Sequence, residues 1–214
     1  MKIEIKSVSK KFKDNEVIKK TNLVLESGNI YGFYGRNGSG KSVFQKLLCG
    51  LYMPTSGNIL YDGIDINEKH EFPLNVRAQI ETPTFFHDLS GFKNLQILAE
   101  IQNKISDNDI IKALEIVNLI EEKDKIYAKY SLGMKQKLGI AQAIMENPDV
   151  IILDEPFNGI ERVTVNKIID FLIHAKNEGK LIIVSSHIKE DLNAMANVFY
   201  EFDNGTIVEV NSAK

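Results

Sequence analysis

Eight consecutive residues, Gly35-Arg36-Asn37-Gly38-Ser39-Gly40-Lys41-Ser42, fit the pattern G-x-x-x-x-G-K-[ST] at every fixed position. Glycines at those places let the backbone curl tightly and bring its N–H groups against phosphate oxygens. A helix starting beside Lys41 would add the positive end of its dipole. Lys41 would then reach the β- and γ-phosphates of a nucleotide, and Ser42 would ligate Mg²⁺. A second constellation lies far along the chain, where the apolar run Val150-Ile151-Ile152-Leu153 ends in Asp154-Glu155. Asp154 can hold Mg²⁺ there, directly or through water, and Glu155 can polarise an attacking water. Two acids closing a strand are common by themselves, and Pro156 supports a loop in either case. The phosphate loop is what favours the catalytic reading.

Between these two segments stands Tyr130-Ser131-Leu132-Gly133-Met134-Lys135-Gln136-Lys137. Ser131 and the Gly133 N–H fall at a helix start suited to an anion, and a plain Ser N-cap would use the same groups. Taken in this order, the three segments resemble those of the ATP-binding cassette (ABC) ATPases, whose signature is usually Leu-Ser-Gly-Gly-Gln. Ser131 and Gly133 match it, whereas Tyr130, Leu132 and Met134 depart in a form familiar from exporters of the drug- and bacteriocin-resistance kind.

The resemblance implies that the Ser131–Gly133 turn faces the γ-phosphate held by a second subunit. It implies that Glu155, Lys41 and His187 act in ATP hydrolysis, His187 occupying the place of the family's switch histidine. Phe12 falls where the family puts an aromatic that stacks on adenine, although a ring after an N-terminal strand is more often core. Glu81 aligns with a family glutamine, and a carboxylate there would face Mg²⁺ more strongly than an amide. The sequence around it resembles bacitracin-resistance and lantibiotic-immunity ATPases, where glutamate is usual. Glu161 stands where the family mostly has Asp, so the cross-dimer contact there is expected to differ.

These groups need a scaffold. Residues 1–8 and 22–26 alternate apolar and polar, as half-exposed antiparallel strands do. A short apolar strand over 30–34 feeds the phosphate loop, and a helix follows from Lys41 to about Gly50. Pro54-Thr55-Ser56-Gly57 and Asp62-Gly63 bracket a further β element at 58–61. Residues 89–102 and 106–119 carry helical spacing, with Ser106 and Asp109 forming a capping pattern. Together with the signature helix they suggest a helical insert at roughly 83–147. Strand, helix and strand follow at 149–153, 161–177 and 181–185, and the tail over 198–210 reads as a hairpin. The expected fold is therefore α/β: a P-loop NTPase of the ABC type, with a mostly parallel core sheet flanked by helices, plus an antiparallel β subdomain and the insert. Residues 1–214 are expected to form one nucleotide-binding domain.

Composition sets the outer limits. With 43% hydrophobic and 26% charged residues, the 214-residue chain reads as a globular protein of ordinary core size. Its 26 basic and 29 acidic residues leave no basic footprint for nucleic acid. The single cysteine, Cys49, excludes an internal disulfide and reads as a small buried hydrophobe. His70, His87 and His174 are scattered without metal-ligand spacing and read as surface residues. The longest apolar runs are strand-sized, well short of the roughly 20 residues of a membrane span. No signal-like segment is evident, and a cytoplasmic location follows as an expectation.

The family likeness implies ATP and Mg²⁺ as cofactors and a homodimer or heterodimer of cassettes. It also implies a multi-span permease that tethers the cassettes to the inner face of the membrane. Two alternatives stay open at this point: a soluble ABC ATPase serving assembly, and a small P-loop kinase. The kinase would explain the 35–42 loop but not Ser131, Glu155 and His187.

Overall fold

The alternation at the N-terminus produces a long hairpin, β1 (Lys2–Phe12) with β2 (Asn15–Glu26). The computed structural model describes residues 1–66, 68, 72, 73, 75–82 and 84–210. His70, read as a surface residue, and Pro83, at the expected start of the insert, lie outside them. Both hairpin strands run further than the alternation predicts, because the polar stretch through Lys10, Lys11 and Asn15 pairs as an exposed tip. With β4 (Ser56–Tyr61) and β5 (Ile64–Asp65) the hairpin makes an antiparallel sheet in the order β2-β1-β4-β5.

The second sheet has six strands. It joins β3 (Asn29–Tyr34), β6 (Val76–Gln79), β7 (Val150–Asp154), β8 (Leu181–Ser186), β9 (Val198–Asp203) and β10 (Thr206–Val210) in the order β10-β9-β3-β8-β7-β6. All its pairings are parallel except β9 with β10, the tail hairpin. Every residue of β7 and β8 is buried, as a parallel strand covered on both faces requires. The strand β6 was not apparent in the sequence. Arg77 and Gln79 break its apolar character, and pairing with β7 fixes it.

Side chains of this sheet alternate between two cores. Ile30, Ile151, Leu153, Ile182 and Val184 face one of them, whose covering helices include α3 (Asp107–Ile116), α4 (Leu132–Ile144) and α5 (Arg162–Asn177). Tyr31, Phe33, Val150, Ile152, Leu181 and Ile183 face the other, formed with α1 (Lys41–Leu48) and the antiparallel sheet. A further helix, α2 (Gly91–Gln102), is capped by Ser90, and a short α6 (Lys189–Asn193) follows β8. The capping box predicted at Ser106 and Asp109 is present. In chain order α2, α3 and α4 all fall between β6 and β7. Among the described residues, no helix is long and apolar enough to cross a membrane.

Candidate nucleotide site

The β3 strand delivers the 35–42 loop to the start of α1, and two glycines there cannot be replaced without moving the backbone. Gly40, the N-cap of α1, sits at φ 109°, and a Cβ on Gly35 would lie 2.3 Å from the Phe202 carbonyl oxygen. The loop closes around the Lys41 ammonium, which donates to the carbonyls of Gly35 (2.7 Å) and Arg36 (3.4 Å). Asn37, Gly38, Ser39, Gly40, Lys41 and Ser42 line a cavity of about 350 Å³ that Glu155 also borders. Ser39 Oγ is buried there without a hydrogen-bond partner among the described residues. A phosphate oxygen would satisfy it, as it would the free N–H groups of the first turn of α1. The cradle therefore fits a nucleotide's phosphates.

Four further groups, Asp154, Glu155, Ser185 and His187, converge on the loop from the C-terminal ends of β7 and β8. Ser42 Oγ donates to Asp154 Oδ2 at 2.6 Å, and Ser185 Oγ donates to the other Asp154 oxygen. The hydroxyl and carboxylate offer hard oxygen donors to Mg²⁺, whose remaining positions would fall to water and phosphate. The adjoining Glu155 has a left-handed backbone (φ 47°), an uncommon strain for a residue with a side chain. Its N–H donates to the Ser185 carbonyl (3.1 Å) and Oγ (3.2 Å), which holds this turn in place. Glu155 Oε1 lies 3.5 Å from Lys41 Nζ, and Oε2 lies 2.8 Å from His187 Nδ1. Lys41, Glu155 and His187 thus form one chain of polar contacts along the cavity edge. A phosphate entering the loop would compete with Glu155 for Lys41.

The remaining sequence candidates are placed apart from this cluster. Ser131 caps α4 by accepting from the Met134 N–H at 3.2 Å, and neither Ser131 nor Gly133 lines the loop cavity. Gly133 packs on the loop after β7 so closely that a Cβ would meet the Gly159 carbonyl at 2.3 Å. Phe12 is 40% exposed, so it is not core; it meets the Tyr52 ring edge-on at 5.4 Å. Glu81 does not reach Ser42 or Asp154. Its carboxylate is 2.5 Å from Lys46 Nζ, and its side chain is well exposed. Ser42 and Asp154 are brought together, and Glu81 stands apart from them in this structure. Among the described residues, no group of three or more His, Cys, Asp and Glu could hold an ion by itself.

Sequence reasoning overlooked the connections between these parts. Gln136 donates from Nε2 to the Glu155 carbonyl at 3.0 Å, tying α4 to the turn after β7. Tyr130, a departure from the usual signature, is buried with its hydroxyl donating to the Glu122 carbonyl at 2.8 Å; it packs the helical segment. Burial pushes the Cys49 thiol up to about 12, which leaves it inert.

Glu161 was expected to alter a contact between subunits, but within this chain it accepts from the buried Lys137 ammonium and from Thr164. The Lys137 hydrogen bond, followed by the one from Thr164, draws the Glu161 carboxyl down from 4.5 to about 2. A folded value below the unfolded one gives stability that is present above pH 4.5 and lost as pH falls toward 2. Glu161→Gln should therefore lower the melting temperature at pH 7, and the difference from wild type should shrink steadily below pH 4.5. The half-exposed setting limits the effect to about 1 kcal/mol or less. Thermal unfolding across pH checks this.

The family model described as "ABC transporter" matches residues 18–158. The chain is 41% identical over 209 residues to the bacitracin transport ATP-binding protein BcrA of Enterococcus faecalis, across 97% of this chain and 68% of the relative. Over 206 residues it is 29% identical to the lantibiotic transport ATP-binding protein SrtF of Streptococcus pyogenes, across 96% and 89%. Its fold superposes on a solved ATP-binding subunit of an ABC transporter with a TM-score of 0.88 at 25% identity, covering 99% of this chain and 90% of that one. A small kinase would share little beyond the 35–42 loop, and that alternative is set aside.

Proposed function

The chain belongs to the ABC transporter family as one of its ATPases, and we propose that it powers an exporter through a separate membrane permease. In this reading two cassettes, identical or related, close on two ATP molecules. The 35–42 loop of one holds the phosphates while Ser131 and Gly133 of the other face the γ-phosphate. Supporting this is the separation of Ser131 and Gly133 from the chain's own phosphate cavity, at a helix start suited to an anion.

Ser42 and Asp154 would hold Mg²⁺, which supplies charge neutralisation on the phosphates when bound. Lys41 would move from the Gly35 carbonyl to the phosphates. Glu155, released from Lys41, would take a proton from the attacking water, and His187 would hold Glu155 and sense the terminal phosphate. Phe12 would offer its exposed ring to adenine. Closure would require ATP rather than ADP, because the contacts across the dimer run through the γ-phosphate.

The names of BcrA and SrtF support a peptide antibiotic as the cargo class. The chain would then sit at the inner face of the membrane through its permease. The test is to tag the chain in its native cell, extract membranes gently in detergent and identify the partners. A multi-span membrane protein in near-equal amount is the expected result. Recovery with soluble partners alone, from the cytosolic fraction, would replace transport with a soluble assembly role.

A further inference from the structure

Lys46 and Ser42 are four residues apart on α1 and share one face of that helix. Ser42 points to Asp154, while Lys46, one turn on, grips Glu81 at 2.5 Å. The two partners are unequally anchored. The Lys46 side chain is 18% exposed, with its ammonium 5.4 Å from the centre of the Tyr52 ring, whereas Glu81 is 63% exposed. Glu81 also sits where β6 passes into the segment carrying α2, α3 and α4, in a left-handed backbone conformation (φ 62°), with its carbonyl accepting from Gln79 Nε2 at 3.0 Å. The Lys46 ammonium is held above its ordinary value, chiefly by the Glu81 hydrogen bond, and Asp154 adds a smaller attraction. Lys46 therefore lies one helical turn from the Ser42–Asp154 pair.

We propose that Lys46 is the positioning residue for Glu81: its ammonium neutralises the carboxylate and keeps it off the Ser42–Asp154 cation position, so that Glu81 reaches Mg²⁺ only by leaving Lys46. An exposed ion pair of this kind contributes little to stability. Its consequence is electrostatic, since a free carboxylate beside Asp154 would strengthen the hold on a divalent cation. The proposal rests on the Mg²⁺–ATP reading of the site.

The test follows binding of a fluorescent ATP analogue to the whole chain while Mg²⁺ is titrated, a readout independent of turnover. Lys46→Met keeps an apolar stem against Tyr52 and frees Glu81. It should lower the half-saturating Mg²⁺ concentration by roughly fivefold or more. Lys46→Arg, which keeps the charge, should stay at the wild-type value. In a Glu81→Gln background, Lys46→Met should produce no such shift. Equal shifts with and without Glu81, or no shift in either, would overturn the proposal while leaving the nucleotide site intact. Failure of the wild-type chain to bind the analogue in a Mg²⁺-dependent way would overturn the site reading and this proposal together.

Discussion

Glu155→Gln is expected to slow ATP turnover by roughly 10²–10⁴-fold, the range for removing a positioned general base. ATP affinity should be retained or rise. Glu155 Oε1 competes in the free chain for Lys41, at 3.5 Å, and an amide would hold that ammonium less firmly. The neutral side chain can still accept from His187, so the ring's position is preserved. Single-turnover hydrolysis alongside nucleotide titration separates the two effects. A variant that hydrolyses ATP at near the wild-type rate would remove Glu155 from the chemistry. One that loses ATP binding as well would make it a structural clamp on Lys41.

Gly133→Val should be nearly as damaging by a different route. Any Cβ at this position lies 2.3 Å from the Gly159 carbonyl, so the start of α4 and the loop after β7 must separate. That displacement would pull on the Gln136 bond to the Glu155 carbonyl and turn Ser131 away from its present aim. A misplacement of about 1 Å can cost 10²-fold in rate, and turnover is expected to fall by at least that much. ATP binding to the isolated chain should survive, because Gly133 does not line the 35–42 cavity. Steady-state turnover and the binding titration check both halves. Equal loss of both would mean that the substitution unfolds the protein rather than misaligning α4.

The parts of this site that could be read from the sequence share a property: their residues are fixed by local backbone demands. The 35–42 loop needs its glycines for φ and close approach, and a fully buried parallel strand needs a continuous apolar run. The phosphate loop, β3, β7, β8 and the capping box at Ser106 are therefore visible in the chain. What escaped depends on side chains meeting from distant positions. Nothing near Gln136 announces that its amide will hold the Glu155 carbonyl, and nothing near Lys46 announces Glu81. Strand β6 escaped because its polar residues are accommodated by pairing with β7 and by the partly buried Arg77–Glu146 ion pair, both of them tertiary. The hairpin tip was cut short because its charged residues resemble a loop, although the ladder continues through Phe12 and Asn15. The tie between Lys137 and Glu161 escaped for the same reason, since Lys137 lies 24 positions earlier, on α4.

The claim that organises this account is that two cassettes close on ATP and open on ADP. Light scattering on the Glu155→Gln chain with Mg²⁺ and either nucleotide tests it most directly. The account predicts a stable dimer with ATP and monomer with ADP, and monomer with both when Lys41→Ala is added. Monomer under every condition, in a chain shown to bind ATP, would contradict closure between copies of this chain.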